Sequence, residues 1–130
     1  MNSTAGLEAY RRTQVQSRTP LELVVMLYDG ALKFLAMARE GIDRRDMRAR
    51  REGLERTLAI IGDLQSTLNF EQGGDIAVEL NRLYSYANLR LLEAAMRNDA
   101  ERVDEVRRIF EILRDGWATI AAQPGPGAPR

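Results

Sequence analysis

Apolar residues recur along this chain at steps of three and four, and the runs they form are interrupted roughly every 25 residues. Alternation of period two never persists beyond a few residues, so the pattern predicts four helices and no sheet. The first should run from about Pro20 to Asp43. Thr19 can cap it, Pro20 suits its first position, and Glu22 completes a capping box. Asp46 can cap a second helix, in which Leu54, Leu58, Ile61, Leu64 and Leu68 stand four, three, three and four residues apart on one face. Gly73-Gly74 offers positive-φ positions that end it, and Asp75 is expected to open the third helix, with Ile76, Leu80, Leu83, Tyr84, Ala87 and Leu91 along its core stripe. Asn98, followed three residues later by Glu101, reads as the N-cap of a fourth helix carrying Val103, Val106, Phe110, Leu113, Trp117 and Ile120.

The ends follow another grammar. Residues 1–18 are polar with isolated apolar groups at Leu7, Tyr10 and Val15, and are expected to form a mobile N-terminal arm. Residues 123–130 alternate Pro and Gly after Gln123, which suits a disordered tail. Between them, residues 19–122 read as an all-α, antiparallel four-helix bundle.

Two helices carry more apolar residues than a bundle core uses. A bundle helix needs about three apolar positions in seven. The first helix places Leu21, Leu23, Val24, Val25, Met26, Leu27, Tyr28, Ala31, Leu32, Phe34 and Leu35 at all azimuths, and the third adds Tyr86, Leu89, Leu92 and Met96 off its core stripe. Either the first helix is the most buried of the four, or spare faces remain open as a groove for another helix. Homodimerisation through the same faces is the competing interpretation. Gly30, in the apolar centre of the first helix, suits close packing or partner contact, whereas Gly53 and Gly62 carry no evident requirement.

Composition narrows the chemistry. Among 130 residues there is neither Cys nor His, which excludes zinc fingers, iron–sulfur centres, thiol nucleophiles, Ser-His-Asp triads and di-iron bundles. Only a carboxylate-held divalent cation remains open. Pairs such as Glu52/Glu55 and Glu101/Asp104/Glu105 sit beside arginines and read as surface ion pairs. No catalytic residue, metal site or cofactor is therefore expected. The 19 basic and 19 acidic groups cancel, which argues against nucleic-acid binding. Arg44, Arg45, Arg48, Arg50 and Arg51 cluster at one turn, where a solvated corner suffices to explain them. With no signal peptide and no apolar run long enough to insert in a membrane, a cytoplasmic protein is expected.

The residues themselves supply a resemblance. Ala9-Tyr10 with Val15, Thr19-Pro20 and then Met26-Leu27-Tyr28-Asp29-Gly30-Ala31 are similar to the opening of the FliS family of flagellar secretion chaperones. Leu68-Asn69-Phe70-Glu71-Gln72-Gly73-Gly74-Asp75-Ile76-Ala77, then Leu83-Tyr84-Ser85-Tyr86, resembles its central signature. Asn98-Asp99 and Arg114-Asp115-Gly116-Trp117 follow in matching order. The resemblance covers about residues 7 to 120; the Arg-rich turn and the Pro/Gly tail fall outside its pattern.

What it implies is a cytoplasmic export chaperone that holds the disordered C-terminal segment of flagellin and prevents premature polymerisation. The loaded chaperone would dock on the export-gate protein FlhA, and an anti-sigma factor would be a second client in some members. Leu7, Tyr10 and Val15 would then be a movable cover, and Leu23, Met26, Leu27, Gly30 and Phe34 with Tyr86, Leu89, Leu92 and Met96 the groove. Phe70 would plug the bundle end. Tyr84 and Tyr86, two apart on a helix, cannot share a face, so one is expected in the core and the other outside.

Overall fold

The computed structural model describes residues 19–123, in which four helices follow one another: α1 (Pro20–Asp43), α2 (Met47–Ser66), α3 (Phe70–Arg97) and α4 (Ala100–Ala121). Connections of two or three residues force neighbouring helices to run antiparallel. Thr19 accepts the Glu22 N–H at 3.1 Å and returns its hydroxyl to the Glu22 carboxylate, with Pro20 in the first helical position. Asp46 caps α2 through the Ala49 N–H at 3.1 Å.

Two boundaries differ from those expected. α2 ends at Ser66, and α3 begins at Phe70 instead of Asp75, because Asn69 accepts the Gln72 N–H at 3.0 Å and starts a helical turn ahead of the glycines. Gly74 takes φ 50 and ψ −125 within α3, so the left-handed freedom of glycine is used for a kink inside an element, not to end α2. At the other junction Asn98, expected as an N-cap, is the left-handed C-cap of α3 (φ 53); Asp99 caps α4 by accepting the Glu101 N–H at 3.0 Å.

α1 packs between α2 and α4, and α3 closes the ring with thinner contacts to both. Tyr28, Leu35, Ile61, Leu91, Val103 and Phe110 are fully buried, each contributing about 1.5–3 kcal/mol by burial. The centre is aromatic: Tyr28 and Tyr84 stand 5.2 Å and 6.4 Å, centroid to centroid, from Phe110. The two phenols bond to each other at 2.5 Å across the core. Arg39 ties α1 to α4 through Asp104 at 3.0 Å.

Glycine sets how closely α1 and α2 approach. A Cβ on Gly53 would lie 2.5 Å from the Ala38 nitrogen and 2.6 Å from the Phe34 carbonyl oxygen, so this residue has a strict requirement that its sequence position does not reveal. Gly41 is equally confined, its Cβ falling 2.4 Å from the Arg50 nitrogen. At Gly30 a Cβ would meet Ile60 Cδ1 at 3.3 Å, which places its role in internal packing. Gly62 and Gly116 face open space, although a helical glycine costs roughly 1 kcal/mol relative to alanine.

Candidate functional site

α3 turns Ala77, Leu80, Tyr84, Ala87, Leu91 and Ala94 into the core and leaves a second apolar set outside. Val78, Leu89, Leu92 and Met96 are exposed, Met96 by 78%, and with Ser85 they repeat at steps of seven, four, three and four. That spacing is one stripe of a helix. It borders α2, where Gln65 Nε2 donates to Asn81 and Ser85 at 3.1 and 3.2 Å. Further along the same seam Leu54, Leu58, Leu92 and Ala95 line a cleft of about 300 Å³.

The opposite flank of α3 faces α4. Tyr86, half-exposed, donates to Glu105 at 2.8 Å, and Arg90 Nε reaches the same carboxylate at 2.6 Å while its guanidinium lies 5.9 Å from the Tyr86 ring centre. The Arg90 guanidinium, then the Tyr86 hydroxyl, hold the Glu105 carboxyl below the usual carboxylate range, and donation to that carboxylate raises the Tyr86 phenol. Toward the far end the seam opens into an apolar trough of about 220 Å³ between Ile76 and Leu80 on α3 and Ile112, Gly116, Trp117 and Ile120 on α4. Around the corner, Pro20, Leu21, Val24, Leu64, Leu68 and Trp117 line a wider cleft of about 500 Å³. Glu22, Asp63, Glu71 and Asp75 lie toward the same helix ends, and Asp115 is paired with Arg114.

On α1 the candidates Leu23, Met26, Leu27, Gly30 and Phe34 are half-buried. Leu27 packs on the core, and the Phe34 ring lies about 6 Å from Lys33 Nζ and Arg56 Cζ. Met26 lines an open cleft, shared with Glu22, Val25, Asp29, Arg114 and Ala118. The open apolar surface thus belongs to α3, with α4 in second place, more than to α1 and α3 equally. Leu7, Tyr10 and Val15 lie outside the described residues.

Tyr84 is the buried member of its pair and Tyr86 the exposed one. Phe70, expected to plug the bundle end, is half exposed, and Ile76, assigned to the core stripe, is 70% exposed on the wall of the open trough between α3 and α4. Ile112, 72% exposed, was missed; its signal is an isoleucine off the α4 core stripe. In the Arg-rich corner Arg44 pairs with Glu40 at 3.1 Å, whereas Arg50 turns inward to the Ala95 carbonyl and Asn98. Among the described residues no group of acidic side chains is arranged to hold a metal ion.

A bundle with a closed aromatic core and apolar side chains left on both flanks of one helix defines a binding module. The family model for the flagellar protein FliS matches residues 3–124. The flagellar secretion chaperone FliS of Salmonella typhimurium is 36% identical over 126 residues, covering 93% of both chains, and that of Bacillus subtilis is 35% identical over 109 residues, covering 84% of this chain and 80% of its own. A bacterial flagellar chaperone of known crystal structure superposes with a TM-score of 0.73 at 16% identity, covering 92% of this chain and 97% of its own. The chain belongs to the FliS family, whose members are flagellar export chaperones.

Proposed function

We propose that this chaperone holds the C-terminal segment of flagellin in the cytoplasm, without enzymatic activity, and keeps it from polymerising before export. The observation that carries this reading is the set of apolar side chains that α3 leaves outside the core: Val78, Tyr86, Leu89, Leu92 and Met96. A segment that is unfolded when free can wrap such separated strips and order itself by burying them, with a loss of ordering entropy that keeps the complex releasable. The cytoplasmic setting is consistent with the described helices, none of which is long and apolar enough to cross a membrane.

Residues 1–18 are the cover of this surface when no client is bound, with Leu7, Tyr10 and Val15 as its apolar contacts. Two features support this. The segment joins the bundle at Pro20, on the wall of the 500 Å³ cleft, and it carries Arg11, Arg12 and Arg18 against the single acid Glu8, opposite in sign to the acidic residues at that end. Docking of the loaded chaperone on FlhA and binding of an anti-sigma factor rest on the family resemblance alone.

Calorimetric titration with the C-terminal flagellin segment, and with an N-terminal segment as control, tests the reading. One-to-one binding of the C-terminal segment alone, with a large negative heat-capacity change, is expected. Absence of heat at several temperatures, together with a light-scattering mass of two protomers, would replace it with a homodimeric module.

A further inference from the structure

α1 ends in a Schellman turn: the Asp46 N–H donates to the Gly41 carbonyl at 2.8 Å and the Arg45 N–H to the Ile42 carbonyl at 3.3 Å. The residue that turns left-handed in this motif is ordinarily glycine, yet here it is Arg45, at φ 56. Its side chain makes no compensating contact. Arg45 is exposed and, among the described residues, its guanidinium has no ion pair or hydrogen bond, whereas its neighbour Arg44 is held by Glu40 at 3.1 Å. The next helix repeats the anomaly: the first turn of α2 holds Arg48 and no acid, although the positive end of a helix dipole favours acids there. Arg48 and Arg51 are likewise exposed and unpaired among the described residues. Of the nearby acids, Asp46 caps α2, Glu52 lies 4.0 Å from Arg56, and Glu55 lines the α2–α3 cleft together with Arg51. The negative end of α1 favours a cation near Arg44 and Arg45, but it does not account for Arg48 and Arg51. Positive charge is thus kept on this corner where two local rules disfavour it.

We infer that the corner rests on an anionic lipid surface, with Arg45, Arg48 and Arg51 at the level of the headgroup phosphates. Residues 43–48 are exposed without interruption, so the corner projects, and Met47, 56% exposed, stands among the arginines. A projecting basic surface with one apolar side chain fits a fluid layer whose charges can move to meet it. An acidic peptide needs a groove, and the cleft beside the corner carries the carboxylates of Glu40 and Asp46, which repel it. The contact is peripheral, since no described helix is long and apolar enough to cross a membrane. It lies at the other end of α1 from Pro20, so the wide cleft stays free.

Co-sedimentation of the full chain with vesicles tests this. With phosphatidylcholine vesicles containing about 30% phosphatidylglycerol the protein should sediment at about 0.1 M salt and be released near about 0.5 M, and with pure phosphatidylcholine it should stay in solution. Arg45→Gly should raise the thermal midpoint by about 2–5 °C while weakening vesicle binding about fivefold. Adding Arg48→Gln and Arg51→Gln should bring the loss to about a hundredfold. Arg11→Gln, Arg12→Gln and Arg18→Gln together, made instead, should leave most of the binding in place. Loss of binding with that second set and not with the first overturns the inference, as does equal sedimentation with both kinds of vesicle or with neither. Retention on immobilised polyglutamate by a chain that ignores vesicles also overturns it and assigns the corner to an acidic protein segment. The proposed function stands in each case.

Discussion

Tyr28 and Tyr84 bring two hydroxyls into an otherwise apolar core and satisfy them on each other. Burial raises both phenols above their ordinary range; for Tyr84 the bond to Tyr28 adds to the effect, and for Tyr28 bonding to Tyr84 and Trp117 opposes it. A phenol that stays protonated when folded but ionises near 10 when unfolded gives stability that is complete below about pH 10 and declines above it. Urea midpoints should therefore hold up to about pH 9.5 and fall beyond it, with a shallower fall in Tyr84→Phe. At neutral pH that variant should lose about 1–2 kcal/mol, since the Tyr28 hydroxyl loses its bond to Tyr84. Glycines behave oppositely according to what faces them. Gly53→Ala, which drives a methyl into the α1 backbone, should cost about 1–3 kcal/mol or more, while Gly62→Ala should add up to about 1 kcal/mol, as thermal unfolding will show. In the sequence the two look alike, because what distinguishes them is a backbone from another helix.

At the scale of the element, α3 carries most of the exposed apolar side chains and also most of the differences from the sequence reading. Periodicity made its core stripe and its spare residues Leu89, Leu92 and Met96 legible, since both are properties of one helix. Its start was not, because a glycine pair is a stop signal by local rules, and only the Asn69 cap and the burial of Ala77 and Leu80 beyond the kink continue the element. Ile76 illustrates the same limit: its spacing assigns it to the core, but α3 and α4 leave an open trough where it stands. Gly74→Ala forces a side chain into a region reserved for glycine and should lower stability by about 1–3 kcal/mol. Leu89→Asp with Leu92→Asp is the complementary experiment. Both side chains are exposed, so denaturant stability should change by about 0.5 kcal/mol or less per site, while affinity for the flagellin segment should fall tenfold or more. Equal loss of stability and binding would place the pair in the core instead of at the client surface.

Across the whole molecule, charge is arranged by end even though it sums to zero. The turn between α1 and α2 is rich in arginine, and the helices carry Glu22, Asp63, Glu71 and Asp75 toward the opposite end, where Asp115 is paired with Arg114. The net charge conceals this distribution, which follows from the antiparallel order of the helices. If residues 1–18 cover that end, their excess of arginine over acid should add an attraction that is screened within about 10 Å at 0.1 M salt. If the segment covers the client surface for most of the time, apparent affinity is reduced by the fraction of molecules left open. Removing residues 1–18 should therefore increase the fluorescence of an apolar dye and tighten flagellin binding by about 3–10-fold at low salt. The gap between full-length and truncated proteins should narrow at 0.5 M salt, where the charge term is lost and only apolar contact remains. Unchanged dye binding and affinity on truncation would show that the segment does not cover the surface, and a gap that grew with salt would assign the cover to Leu7, Tyr10 and Val15 without help from the arginines.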